Sequence, residues 1–418
     1  MKRLLFALWV LLFIGCGGTT SEDTYTGDNN TTYISNVSEE NVSTALEYLN
    51  TLRQKAGMIR FSEDPNLTTA AKNHAYYLYV NHTSGHEEEE DKEGFTGQWP
   101  SDRAVYAGFL SKDVSENVSV GQSDYMHSID ALFSAIYHRF GFLTTSRDLI
   151  GIGIVDKDYV YDMGNSLLNE LCSHENDVTG AYYLHVCAND DIIIDTDDYD
   201  GAKDNFRKQN PQIILWPYKD AQDIPPVFYN ESPDPLPDYN VSGYPVSIKF
   251  NEYYFDGNIT LKSFKLYDKD GYEITDTRLL DQSSDPNSEF SEYEYALFPL
   301  QRLDWNTTYS VSAVYEYNGS EYTLNWSFKT RALDYPEIKI TSNDETVYID
   351  SSKTYAYYFV PQNENDLITG YSVSYPSDAV VKSGFIDYNT LWIQVTAQSG
   401  DKIVFDLNNG DKLTLIVN

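Results

Sequence analysis

Two hydrophobic periodicities divide the chain near residue 225. Before it, apolar side chains recur at helical spacing. Leu46, Leu49 and Leu52 form a stripe that follows the capping box Thr44-Ala45-Leu46-Glu47 and stops at Gly57. Asp64-Pro65, a cap followed by a first-turn proline, opens a second helix in which Leu67, Ala70, Ala71, His74, Ala75 and Leu78 share a face. The spacing of Ile129, Leu132, Phe133 and Ile136 predicts a third helix over 124–139. Strands are predicted at 150–155 and 159–163, joined by Asp156-Lys157-Asp158, and at 212–216.

Beyond Ile224-Pro225-Pro226 the period is two. Tyr309, Val311, Ala313 and Tyr315 alternate up to Asn318-Gly319, and Tyr322, Leu324, Trp326 and Phe328 alternate away from it, a hairpin with a type I′ turn. Further strands are read at 246–250, 259–266 and 293–297, and a closing hairpin turns at Asn409-Gly410. Consecutive prolines cannot donate to a sheet, so a domain seam is placed at residue 226, with Glu231 to Pro237 as a stiff spacer. The expected parts are a leader (1–15), a polar tether (16–40), a mixed α and β domain (41–226) that should fold alone, a β-sandwich of immunoglobulin type (227–331) and a C-terminal all-β domain (332–418).

The leader changes the picture of where the chain resides. Lys2 and Arg3 precede an apolar run from 4 to 14, too short to span a bilayer, and Gly15-Cys16 follows. That is a bacterial lipobox arrangement. It predicts export, a lipid on Cys16 and anchoring to the cell envelope, at the outer membrane or cell surface. Losing residues 1–15 would remove two bases and no acid, taking the net charge from −35 to −37. Such a surface excludes nucleic acid as a partner, since phosphate binding needs clustered positive charge. Cys172 and Cys187 are the other two cysteines, most simply one disulfide in an exported chain. Acidic Asn-Xaa-Ser/Thr sequons occur at Asn30, Asn41, Asn240, Asn258, Asn306 and Asn318.

All seven histidines lie between residues 74 and 185, so chemistry near neutral pH belongs to the first domain. His86, Glu116 and His138 could ligate a divalent cation such as zinc, or form a hydrogen-bonded acid–base cluster. His74 sits on an apolar stripe and reads as a core histidine. Glu116 could instead cap a helix or pair with Arg103. The runs Glu87 to Glu90 and Asp195 to Gly201 read as solvated acidic loops; the second fails the EF-hand spacing. No Gly-Xaa-Ser-Xaa-Gly elbow, His-Glu-Xaa-Xaa-His or phosphate loop occurs.

Several of these segments, in order, resemble the CAP superfamily of cysteine-rich secretory, antigen-5 and pathogenesis-related proteins. They are Leu49-Asn50-Thr51-Leu52-Arg53, Ala70-Ala71-Lys72-Asn73-His74-Ala75, Ser84-Gly85-His86, Glu116-Asn117-Val118, His138-Arg139 and Ile150-Gly151-Ile152-Gly153-Ile154. The resemblance spans roughly 41–222 and implies an α/β/α sandwich with a central cleft. It puts His86, Glu116 and His138 in that cleft, supported by Arg103, Asn117 and His74. Two His and two acids line the family's cleft; the fourth has no match here, and Ser115 stands where a Gly is usual. The family's proposed activities are lipid binding, metal-dependent proteolysis and protein recognition. The function expected is therefore a displayed cleft that binds a lipid, polysaccharide or protein, with a metal-assisted hydrolase using His86, Glu116 and His138 as the alternative.

Overall fold

A computed structural model describes the protein from Glu39 to Asn418, with side chains from Val42 onward. The leader, Cys16, Asn30, the side chain of Asn41 and all but the end of the tether lie outside the described residues. The protein is a multidomain α+β chain: a mixed domain followed by two β-sandwiches.

In the first domain a four-stranded sheet runs in the order β1 (Ser62–Glu63), β3 (Leu149–Val155), β4 (Asp158–Gly164), β2 (Ser115–Ser119). Helix α2 (Pro65–Asn81) covers one face. Asp64 caps it, accepting from the Asn66 and Leu67 amides at 2.9 and 3.0 Å. Strand β3 alternates isoleucine with glycine for a steric reason. A Cβ on Gly151 would lie 2.0 Å from the Leu67 backbone, and one on Gly153 2.1 Å from the Ala71 carbonyl. The bare face admits α2; Ile150, Ile152 and Ile154 face the other way. There they meet Val42, Ala45 and Leu49 of α1 (Glu39–Lys55) and Ile129, Leu132 and Phe133 of α4 (Tyr125–Ser134). α1 starts five residues before the predicted capping box.

The helix predicted over 124–139 is two. α4 ends at Ser134, Ala135 takes an extended conformation (φ −67°, ψ 120°), and α5 (Ile136–Phe142) sets off anew. A short α3 (Pro100–Tyr106) precedes β2. Cys172 and Cys187 form the predicted disulfide. It ties the end of α6 (Ser166–Leu171) to the segment between the paired strands β5 (Tyr182–Tyr183) and β6 (Ile194–Asp195), where Cys187 forms an isolated β-bridge with Ser111. The acidic stretch at 195–201 is not a loop: Asp195 caps α7 (Thr196–Arg207), accepting from the Asp197 amide at 3.0 Å.

The seam expected at residue 226 runs through a sheet system. β7 (Ile213–Trp216) and β8 (Ala221–Ile224) belong to the first sandwich with β9 (Val246–Phe250), β10 (Thr260–Tyr267), β11 (Glu273–Ile274), β12 (Thr277–Leu280), β13 (Glu294–Pro299), β14 (Thr308–Tyr317) and β15 (Ser320–Thr330). One sheet is β11-β10-β14-β15-β8 and the other β12-β13-β9-β7. The prolines do end β8, as their missing amides require; what they do not reveal is which sheet β8 joins. Nor is the 231–237 segment a spacer: Glu231 and Leu236 are buried. Phe228, Leu236, Phe290 and Phe298 pack with Ile136, Tyr137 and Phe140 of α5, while Trp216, Tyr244 and Ile248 share a second cluster with Phe133 and Phe142. The Asn318-Gly319 hairpin has the predicted register, Tyr309 opposite Phe328 and Tyr315 opposite Tyr322, with positive φ at both turn residues.

The last sandwich comprises β16 (Glu337–Ile340), β17 (Asp344–Ile349), β18 (Thr354–Phe359), β19 (Tyr371–Ser374), β20 (Val380–Asp387), β21 (Thr390–Thr396), β22 (Lys402–Leu407) and β23 (Lys412–Val417). Its sheets are β16-β18-β21-β20 and β17-β23-β22-β19. Asn240, Asn258, Asn306 and Asn318 are exposed.

Candidate functional site

Three segments bring the predicted residues together at one end of the first domain's sheet. The start of the α2–α3 connection supplies His86, β2 supplies Glu116 and Asn117, and α5 supplies His138. The His86 ring Nδ1 donates to Glu116 Oε1 at 2.7 Å, and the His86 and His138 rings stack with centroids 6.4 Å apart. Asn117 Nδ2 donates to the His138 carbonyl at 2.8 Å, holding α5 to β2.

Arg103, on α3, takes both oxygens of Glu116 through Nη2, at 2.9 and 2.8 Å, and donates from Nη1 to the His86 carbonyl at 2.8 Å. Behind it, His74 of α2 faces acceptors on both sides: Glu88 Oε1 and the Gly85 carbonyl, each at 2.9 Å. His74 and Arg103 thus lie against Glu88 and Glu116, so that each of the four ionisable groups meets a partner in a dry interior.

Two acids in this cluster escape sequence reading. Glu88 belongs to a run that reads as solvated, yet it is buried and also accepts from the Thr96 amide at 2.7 Å. Its three neighbours are the exposed ones. Asp162 is the residue paired with Glu116 across the β2–β4 ladder. Burial, and then the Glu116 charge, push its carboxyl well above the usual range. It is a neutral acid beside an ionised one. Burial acts on Glu116 in the same sense, but Arg103, His74 and His86 outweigh it and hold that carboxyl below the usual range. His86 moves the other way. Burial lowers it to about 4 against the opposing pull of Glu116, so the ring is neutral at pH 7.

The third acid comes from beyond the first domain. Glu231 Oε2 lies 2.9 Å from His138 Nδ1, and its carboxylate accepts from the backbone amides of Ile136, Tyr137 and His138 at 2.5, 3.1 and 3.5 Å. That carboxylate is why the long helix breaks at Ala135: it satisfies amides that α4 would otherwise have carried on. Ser134 stitches the same segment down, donating to the Val227 carbonyl at 3.2 Å and accepting from the Tyr229 amide at 2.8 Å. His74, His138 and Asp162 are 0% exposed, Glu116 2% and His86 4%. The cluster is an interior, not the wall of an open cleft.

A profile of CAP, the cysteine-rich secretory protein family, matches residues 46–166. These residues are a CAP domain. Among solved structures, the chain is similar to an extracellular SCP-domain protein of Bacillus anthracis str. Ames (18% identity, TM-score 0.29, 34% of this chain and 45% of that one). It is similar to an outer surface protein of Borrelia burgdorferi (20%, 0.25, 30% and 90%) and to a cysteine-rich secretory protein of Staphylococcus aureus subsp. aureus Mu50 (14%, 0.26, 34% and 44%). The chain spans under half the length of the first and third. No curated protein matches.

Other CAP segments prove architectural. Asn50 accepts from the Phe61 amide and donates to its carbonyl, at 2.7 and 2.9 Å. Arg53 serves the carbonyls of Ile59, Phe142 and Thr144. Arg139 reaches out of the CAP domain to the Pro245 carbonyl and Ser247 Oγ, at 2.8 and 3.1 Å. A divalent cation does not fit the His86, Glu116 and His138 set. Both Glu116 oxygens are held by a guanidinium whose own charge would repel the ion. His86 Nε2 is a buried lone pair that meets no hydrogen-bond partner, but with Glu116 taken up by Arg103 the imidazoles lack the third ligand that a site needs. Among the described residues no group of three His, Cys, Asp or Glu is arranged to hold a metal.

Proposed function

We propose that this protein is a non-enzymatic binding protein of the bacterial cell envelope, exported and held by a lipid on Cys16, with its histidine cluster serving as structure. One observation carries the reading: Arg103 neutralises Glu116 on one side while Glu231 closes over His138 on the other, so the cluster offers no complete ligand set and no water-accessible base. The leader sequence supports the anchor, and the acidic surface supports a partner other than nucleic acid.

The test is to equilibrate the purified protein with zinc, remove the excess and measure bound metal by mass spectrometry, assaying peptide and ester libraries on the same sample. Well under one zinc per chain and no zinc-dependent turnover are expected. Stoichiometric zinc accompanied by turnover would return the hydrolase to first place. The intact mass of the membrane-extracted protein should carry the acyl groups on a chain starting at Cys16.

A further inference from the structure

Away from the histidines, a cavity of about 260 Å³ opens where the CAP domain meets the first sandwich. It lies below the roughly 300 Å³ of pockets that hold drug-sized ligands, so its occupant is small. Its two walls differ in charge. On the CAP wall Asp113 is gripped by two cations, Arg147 Nη2 at 2.5 Å and Lys203 Nζ at 3.0 Å, so this wall carries one positive charge more than its acid balances. Arg147 Nε is buried there with no hydrogen-bond partner, as is the hydroxyl of Ser115, a residue 91% buried. The fourth lining cation, Lys112, is drawn to Asp190 outside the cavity at 2.8 Å.

The sandwich wall is the reverse. Lys249 and Glu294 cancel at 2.5 Å, and Glu252 is offset by Arg207 at 3.7 Å. Glu289 is left over, with no cation beside it and Oε2 buried without a hydrogen-bond partner. Between the walls lie the rings of Phe140 and Phe290, in edge-to-face contact at 5.3 Å. Buried polar groups left unsatisfied are costly, and three of them here border one space.

We infer that this cavity binds a small zwitterion, an amino acid or dipeptide with an apolar side chain, its carboxylate at Arg147, Lys203 and Ser115 and its ammonium at Glu289, with the apolar side chain on the two phenylalanines. The inference rests on the binding reading above and deepens it by naming the ligand class. Burial, then Asp285 and Glu231, push the Glu289 carboxyl up to about 7. Lys249 and Glu294 also border the cavity but are spent on each other. An arriving ammonium displaces the Glu289 proton, so binding strengthens as pH rises through 7.

The test is isothermal titration of the full-length protein with leucine, Leu-Leu, N-acetyl-Leu-Leu, Leu-Leu-amide and a neutral disaccharide. Leucine, Leu-Leu or both should bind at one per chain, the pair separating free amino acid from peptide, and either end-block should weaken binding at least tenfold. Glu289→Gln should weaken Leu-Leu about tenfold and leave the N-acetylated form unchanged; Lys203→Met should do the same at the carboxylate end, sparing the amide. Silence of both zwitterions, binding that ignores the end-blocks and Glu289→Gln, or preference for the disaccharide overturns the inference. Zinc measured on the same sample keeps the two readings apart. Silence without zinc sinks this ligand class alone, whereas zinc with turnover sinks the binding reading beneath it.

Discussion

The chain has two inter-domain seams, built on opposite principles. At the first, the CAP domain and the first sandwich share their interior: Phe133, Phe142, Trp216 and Ile248 belong to one apolar cluster, and Glu231 and Arg139 each cross to make buried hydrogen bonds. At the second, the final sandwich keeps a core of its own, drawn from residues 340 to 417. Its attachment is mainly polar, with one ring contact, Tyr229 against Tyr388 at 5.4 Å. Arg302 pairs with Asp387 at 2.6 Å and donates to the Tyr388 carbonyl, the Asn240 amide donates to the Glu364 carbonyl at 2.8 Å, and Lys339 meets Asp304 at 2.6 Å. An interface made by a shared core is part of folding; one made by ion pairs between finished cores is closer to binding. Domain boundaries read from prolines and spacers do not distinguish the two.

Excision should break the comparison most visibly. A fragment of residues 41–226 retains β7 and β8 without β9 and β15, and loses the Glu231 carboxylate. It should lack a cooperative thermal transition by circular dichroism, whereas residues 334–418 alone should unfold in one. A cooperative, soluble 41–226 fragment would reduce the first seam to an ordinary contact.

Next in size is Glu231→Ala. It strands three backbone amides and the His138 ring in a dry interior, and removing one member of such a buried set costs about 3–5 kcal/mol. Denaturant titration should show that loss in the transition shared by the CAP domain and first sandwich, with the final sandwich unmoved. A loss under 1 kcal/mol would mean that water replaces the carboxylate and that the closure over His138 is slight.

The smallest effect sharpens the first seam's electrostatics. Asp162 keeps its proton when folded at pH values where the unfolded chain, with a carboxyl near 4, gives it up. Its contribution to stability therefore falls as pH rises above about 4. Asn at this position keeps a donor toward Glu116 and does not titrate, so Asp162→Asn should gain on the native protein between pH 5 and pH 6, by at most about 1.4 kcal/mol. His86 pulls oppositely: its folded value near 4 lies below the unfolded 6.5, so its contribution is complete above pH 6.5 and is lost as pH falls from 6.5 to 4. His86→Gln should flatten that acid limb. A pH-independent gap for Asp162→Asn would put its proton elsewhere.

What the sequence discloses follows from how local each signal is. The α2 cap at Asp64, the Asn318-Gly319 hairpin, the Cys172–Cys187 bridge and the bare glycine face of β3 depend on neighbours a few residues away or on a single covalent pair. His86, Glu116 and His138 are legible because each stands in a family-like segment. Glu88, Asp162 and Glu231 are not. Glu88 sits among three exposed glutamates of identical type, so composition hides the one turned inward. Asp162 could be suspected, since it is the one charged residue inside the strand read at 159–163. Glu231 had no such trace: a glutamate among prolines and aspartates reads as solvated linker, and its partners lie about 95 residues earlier. The metal reading meets the same limit. Ligand types were visible, but the Arg103 fork and the Glu231 cover were tertiary facts.

The route of the chain through β7 and β8 has a consequence for how the protein comes into being. Synthesis proceeds from the N-terminus at roughly 5–20 residues per second. The CAP segment is finished long before β8 can find β15, whose last residue is Thr330, about 100 residues further on. For some seconds, on that scale, Trp216, Phe133 and Phe142 have no complementary surface, and the amides at the start of α5 wait for a carboxylate not yet made. The nascent first half is thus sticky and unfinished at an age when a self-sufficient domain would be safe, and its yield in a cell depends on whatever shields it during that interval.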